Sequence, residues 1–99
     1  MAKSRATETK TIKIGRDLRI ATAGTALAAL RKAAGGADTR VALDAGQVEK
    51  VDAAGLQALL AGRALLARAG KTLSWAGCSP QLAAAAVLLG LGDPLELPK

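Results

Sequence analysis

One unit is written twice in this chain: a short extended apolar run, a segment of helical period, and a glycine that stops it. Residues 40–44 are extended, with Val41 and Leu43 pointing one way; a loop over 45–51 holds Gly46 and the pair Glu49-Lys50. Residues 53–69 then place Leu56, Leu59, Leu60 and Leu66 toward one side, with Gln57, Arg63 and Arg68 mainly on the other, before Gly70. The second copy is an extended run over 73–76, a helical stretch over 80–89 with Leu82, Ala85, Ala86 and Leu89 on one face, and Gly90. A side-chain period of two that switches to 3.6 and back marks strands alternating with helices, which confines the chain to an α/β fold.

The flanking segments extend that pattern. Ile12 and Ile14 alternate with Lys13 in a short strand over 11–14, Gly15-Arg16-Asp17 makes a turn, and residues 18–20 return as a second strand. Leu27, Leu30 and Ala34 give residues 22–34 a helical period, with Arg31 and Lys32 near its carboxyl end and Gly35-Gly36 as its stop. After the Asp93-Pro94 turn, Leu95-Glu96-Leu97 alternates as a final short strand. The expected architecture is a mixed β-sheet of about four to five strands packed with three or four helices. Residues 11–99 form its single domain, and the polar, aperiodic residues 1–10 are a flexible leader.

Two helix starts are written in the sequence. Asp52 precedes the second helix, where its carboxylate can accept from free N–H groups of the first turn. Ser79-Pro80 supplies a capping hydroxyl followed by proline at the first helical position.

Composition narrows the chemistry. There is no His, Phe or Tyr, Trp75 is the one aromatic residue, and nearly half of the apolar residues are alanine. Such a chain has no Ser/His/Asp or Cys/His relay and no His-based zinc site. Its core must be made of small and aliphatic side chains. The single cysteine, Cys78, cannot close an internal disulfide, which fits a reducing cytoplasm, and is read as a small buried hydrophobe. The start carries Lys3 and Arg5 but no apolar stretch behind them, so no secretion signal is expected, and no run is long enough to enter a bilayer. The net charge of +6 is spread over positions such as Arg16, Arg31, Arg40, Arg63 and Lys71 with no aromatic interleaving; it reads as solvated surface, not as a nucleic-acid footprint.

Apparent motifs dissolve on inspection. Gly70-Lys71-Thr72 lacks the upstream glycine of a phosphate-binding loop, since Leu65 stands there, and it follows a helix where that loop follows a strand. Gly90-Leu91-Gly92 lacks a third glycine. Asp44 and Asp52, one at a strand end and one at a helix start, are read as a loop-organising Asp and an N-cap, not as a catalytic pair. The carboxylates do not cluster as a metal site would require, and neither an enzymatic activity nor a cofactor is expected.

Residues 40–91 nevertheless resemble the STAS domain family, the fold of anti-sigma-factor antagonists. Val41-Ala42-Leu43-Asp44 is similar to that family's central strand, and Val51-Asp52-Ala53-Ala54-Gly55-Leu56 to its signature loop. The run from Leu73 to Pro80 resembles the next strand and its turn into a helix, and Leu88-Leu89-Gly90-Leu91 the apolar end of that helix. The resemblance implies a protein-docking module whose contact residues are Asp52, Ala53, Ala54, Gly55, Leu56 and Gln57. In the family's partner-switching branch a Ser or Thr of this loop is phosphorylated by a kinase that doubles as the anti-sigma factor. Here Ala53 and Ala54 occupy the matching positions, so docking is expected without that switch. Phosphate placed there would add about −1.5 to −2 charges at the docking surface.

The expected partner is therefore a protein: a kinase-type anti-sigma factor, a chemotaxis component, or the ATPase of a lipid-transport ABC system. The expected setting is the cytoplasm, and the expected state a monomer or weak dimer. Nucleotide or lipid sensing at the helix start over residues 53–55 is the alternative, through free N–H groups that Asp52 opposes by charge.

Overall fold

In the computed structural model, which describes residues 9–97, three parallel strands form the main sheet in the order β1 (Thr9–Lys13), β3 (Arg40–Ala45), β5 (Thr72–Cys78). Between them the chain crosses over through α1 (Ile20–Ala34) and α2 (Ala53–Arg68), the connection that parallel strands require. Two further strands of two residues each, β2 (Asp17–Leu18) and β4 (Lys50–Val51), pair with one another in parallel. After β5 come α3 (Pro80–Leu88) and the single turn α4 (Gly92–Leu95).

Strand alternation and register explain the layers. Ile12, Leu43 and Trp75 are partners across the sheet, as are Lys10, Val41 and Leu73, and this face carries the core. Val41 and Leu43 on the central strand are completely buried, while Thr11 and Ser74, which flank Ala42 in the intervening row, are exposed. Leu30 of α1 and Leu56, Leu59 and Leu66 of α2 close over the apolar face. The two helices meet closely at Gly62, where a Cβ would lie 2.2 Å from Leu30 Cδ1. An alanine-rich chain thus builds its core by close approach and leucine packing in place of rings.

The α/β class and the helices are as expected, but three local readings change. Residues 18–20 do not return as a hairpin beside residues 11–14. β1 instead pairs in parallel with β3, all ladders among the described residues are parallel, and Leu18 is buried where β2 meets β4. The Gly15-Arg16-Asp17 connection lacks the two-residue turn chemistry that enforces a hairpin, and burying Leu18 and Ile12 in one core favours the split. Lys50 and Val51, read as loop, are β4 because the Arg16 carbonyl accepts the Glu49 and Lys50 N–H groups at 2.8 and 3.0 Å.

The third change is at the carboxyl end. Residues 95–97 are not a strand: α4 buries Leu95, and Glu96 turns the chain at φ 54°. The Trp75 indole N–H donates to the Leu95 carbonyl at 3.0 Å, and Arg63 pairs with Glu96 at 2.6 Å. A partly buried indole N–H is satisfied by an acceptor, and the helical turn delivers one. Thr9 and Lys10, placed in the leader by their polarity, belong to β1; the rest of the leader, residues 1–8, lies outside the described residues.

Candidate functional site

Asp52 stands where two helices begin. One carboxylate oxygen, Oδ1, accepts the Gly55 N–H at 2.9 Å and caps α2. The other, Oδ2, accepts the Ile20 N–H at 3.0 Å, thirty-two positions away in sequence, and so supplies α1 with the acceptor its own N-cap residue, Arg19, does not. The β2–β4 ladder brings these starts together, and the Asp52 N–H donates to the Leu18 carbonyl at 3.3 Å. The positive ends of two helix dipoles thus share one carboxylate.

That environment holds the Asp52 carboxyl below the usual aspartate range. The Gly55 N–H is the largest cause, joined by the Ile20 and Ala54 N–H groups and the Arg19 charge, against some loss of hydration. A depressed folded-state value means that the carboxylate's contribution to stability is complete above the unfolded value of about 3.9 and is lost as pH falls through the lower folded value. Asp52→Asn keeps one acceptor oxygen and sets an amide where a helix N–H needs an acceptor. The variant is expected to unfold at lower urea concentration at neutral pH, with its deficit relative to wild type shrinking as pH falls below about 4. Urea midpoints measured from neutral pH down into the acid range check this; a deficit independent of pH would mean that the carboxylate charge contributes nothing.

The residues singled out in the sequence divide into two sets. Ala53 and Gln57 are exposed and Ala54 is half-buried, so these three present the surface. Leu56 is completely buried, and Gly55 faces inward: a Cβ there would lie 2.0 Å from the Leu18 carbonyl oxygen. Gly55 and Leu56 therefore support the loop from beneath. Asp52 holds the arrangement from the side.

Ile20, the first residue of α1, completes the surface and was not legible in the sequence. Alternation in Leu18-Arg19-Ile20 reads as a strand, whereas the structure leaves this large aliphatic side chain 76% exposed, with its own N–H bonded to Asp52. Around it, Arg19 makes a two-point ion pair with Asp17 at 2.8 and 2.9 Å, which lowers the Asp17 carboxyl and raises the Arg19 guanidinium. Val87, Leu88 and Leu89 are exposed too, but they stand at the far end of α3, which departs from the carboxyl end of β5. Only Ile20 is tied directly to the Asp52 loop.

Other singled-out groups have structural roles. Asp44 Oδ1 accepts the Gly46 N–H at 3.1 Å and organises the loop after β3, beside a bulge opposite Gly77, where a Cβ would come within 2.8 Å of that oxygen. Ser79 is buried and its hydroxyl oxygen caps α3 by accepting the Leu82 N–H at 3.0 Å. Burial pushes the Cys78 thiol up, away from the reactive thiolate. Lys71, from the apparent phosphate-loop motif, donates instead to the carbonyls of Gly36 and Asp38 and fastens two loops together. Among the described residues, no helix is long and apolar enough to cross a membrane, and no group of three or more carboxylate or thiol side chains gathers as a metal site.

Comparison with known proteins bears on this geometry. The family model described as "Mlab, STAS domain" matches residues 1–98. The fold is shared with the anti-sigma factor antagonist SpoIIAA in its unphosphorylated form, at a TM-score of 0.71 and 20% identity, over 92% of this chain and 80% of that one. It is shared also with a sulfate transporter family protein from Wolinella succinogenes, at a TM-score of 0.75 and 19% identity, over 96% of this chain and 75% of that one. A search of curated proteins finds no match. With the family match running from residue 1 to residue 98 and one fold common to all three, this chain belongs to the STAS domain family.

Proposed function

We propose that the chain is a non-enzymatic protein–protein interaction module of bacterial signalling, an anti-sigma-factor antagonist-like STAS protein that acts in the cytoplasm without a phosphorylatable hydroxyl in its signature loop. Its docking surface is Ile20, Ala53, Ala54 and Gln57, held by Asp52 and supported by Gly55 and Leu56. The observation that carries this reading is the exposure of Ile20 beside the Asp52 loop. A large aliphatic side chain next to small, uncharged Ala53 and Ala54 makes a patch that loses little hydration when a partner covers it, the character of an interface centre. The partner is of the kinase-type anti-sigma or chemotaxis class.

Ligand sensing at the helix start has less to work with. The Gly55 and Ile20 N–H groups that would meet an anion already donate to Asp52, whose negative charge faces the same place. A second protein-docking reading keeps the surface and seats it on the ATPase of a lipid-transport ABC system; the match to the Mlab description over residues 1–98 supports it.

Affinity capture with the full chain from its source cell identifies the partner class. Purified partner is then expected to bind the wild-type chain, and incubation with a partner kinase and labelled ATP is expected to leave residues 53–55 unlabelled. Any label falls on hydroxyls elsewhere, at Ser4, Ser74 or a threonine, since the Ser79 hydroxyl is buried against α3. Phosphate transfer within the loop, or binding indifferent to substitution of Ile20 and Ala54, would overturn the reading.

A further inference from the structure

We propose that a second copy of this chain covers the outer face of α3, the two helices lying antiparallel with Ala84 at a twofold axis. α3 carries no charged side chain on any face, and Gln81 is its one polar residue. Leu82 and Ala86 turn to the core, while Pro80, Gln81, Ala84, Val87 and Leu88 share the opposite, exposed face. Val87 and Leu88 are 71% and 85% exposed. A surface helix ordinarily sets charged side chains outward, and one that is apolar all round is covered.

The distribution of charge selects the occupant. No charged residue stands between Lys71 and Asp93, in a chain of which 22% is charged and whose net charge is +6. Near a twofold axis each group meets a copy of its own neighbours, so a charge there meets like charge. Two copies of a basic chain therefore approach best where charge is absent, and the outer face of α3 meets that condition. An acidic partner or an anionic lipid surface would gain from lysine or arginine on the helix it covers, and α3 has neither. The charges beside it are opposite in sign: Lys50 on β4, against which α3 packs, and Asp93 next to Val87.

The helix ends and the side-chain sizes set the orientation. α1 ends on Arg31 and Lys32 and α2 on Arg68, whereas α3 has no acid in its first turn and no base in its last. An antiparallel twin places the positive end of one helix dipole beside the negative end of the other. Ala84 at the axis lets the helices approach to about 8 Å, the close end of the usual range. Leu88 of each copy then lies over Pro80 of the other, and Val87 over Gln81. So short a face falls well below the roughly 20–30 residues a side of a standard interface, so the dimer is weak, with a Kd of about 0.1 mM.

The test is sedimentation equilibrium of the full chain from about 10 μM to about 1 mM. The mass is expected to rise from one chain toward two, and more so as NaCl increases from about 0.05 to about 0.5 M. Salt screens the repulsion between two chains of charge +6, and the interface has no ion pair for it to weaken. Leu88→Glu is expected to weaken dimerisation at least about tenfold while the thermal midpoint stays put, since Leu88 is exposed in the single chain. In a Cys78→Ala background, mild oxidation should link copies through Ala84→Cys. Gln81→Cys should not link, because the two positions 81 lie about 9 Å apart along the axes, past the roughly 7 Å reach of a disulfide. The proposal is overturned by a chain that stays monomeric at every concentration, whatever else then binds α3, or by association that weakens with salt. Full dimerisation of Leu88→Glu, or linkage through Gln81→Cys in place of Ala84→Cys, overturns it as well.

Discussion

Gly55→Ala is expected to be among the most damaging single-methyl changes in the molecule, costing about 3 kcal/mol or more of stability. The new Cβ would sit 2.0 Å from the Leu18 carbonyl oxygen and 2.8 Å from its carbonyl carbon. These are backbone atoms, so no rotamer change relieves the clash. Either the first turn of α2 or strand β2 must move by more than an ångström to restore ordinary contact. That movement strains the Asp52 N–H bond to Leu18 and both bonds of the Asp52 carboxylate, which depend on the same junction. Against a typical total stability of about 5–15 kcal/mol the loss is large. Gly24→Ala provides the contrast. Nothing lies within 4 Å of its prospective Cβ, it is exposed within α1, and alanine there is expected to stabilise by about 0.5–1 kcal/mol. Gly62→Ala should fall between the two, since it meets the Leu30 side chain, which has some freedom to give. Urea denaturation of the three variants checks the order; a Gly55→Ala protein as stable as wild type would show that the α2–β2 approach is not tight in solution.

Signals local in the sequence carried through to the structure, and those that depend on distant partners did not. Asp52 and Ser79 announced their helices because an N-cap needs only the next three residues, and both cap as expected. Gly70 and Gly90 close their helices in the left-handed conformation at φ 77° and 73°. Strand pairing, by contrast, joins residues thirty or more apart, so the strand at residues 18–20 looked like the return of a hairpin when its partner is β4. Leu95-Glu96-Leu97 failed for a related reason: its alternation is real, but the need of the Trp75 indole for an acceptor and the burial of Leu95 decide its shape. The candidate site was legible as a loop through Asp52 and its neighbours. What its residues do was not, because the inward turn of Gly55 depends on Leu18, and the exposure of Ile20 depends on where α1 begins.

Partner binding is expected to fall by about thirtyfold or more with Ile20→Ala and by at least about tenfold with Ala54→Glu, while neither variant unfolds. The arguments for the two differ. Ile20 is 76% exposed in the free chain, so its truncation removes little buried contact and leaves the fold intact. If it is the aliphatic anchor of the interface, losing it removes the apolar area that the partner covers, and a hot-spot truncation costs about 2 kcal/mol or more. Ala54→Glu acts by intrusion. A carboxylate in the first turn of α2 suits the helix dipole, so stability is preserved, but its bulk and charge stand in the surface beside Ala53 and Gln57. Because Ile20 and Ala54 flank the same Asp52 carboxylate, a partner seated on the proposed surface would cover both, and the losses in the double variant should be less than additive. Titration calorimetry with the captured partner, beside thermal melts of each variant, separates the outcomes. Full affinity in Ile20→Ala with loss in Ala54→Glu would confine the interface to α2; full affinity in both would move it off this surface altogether.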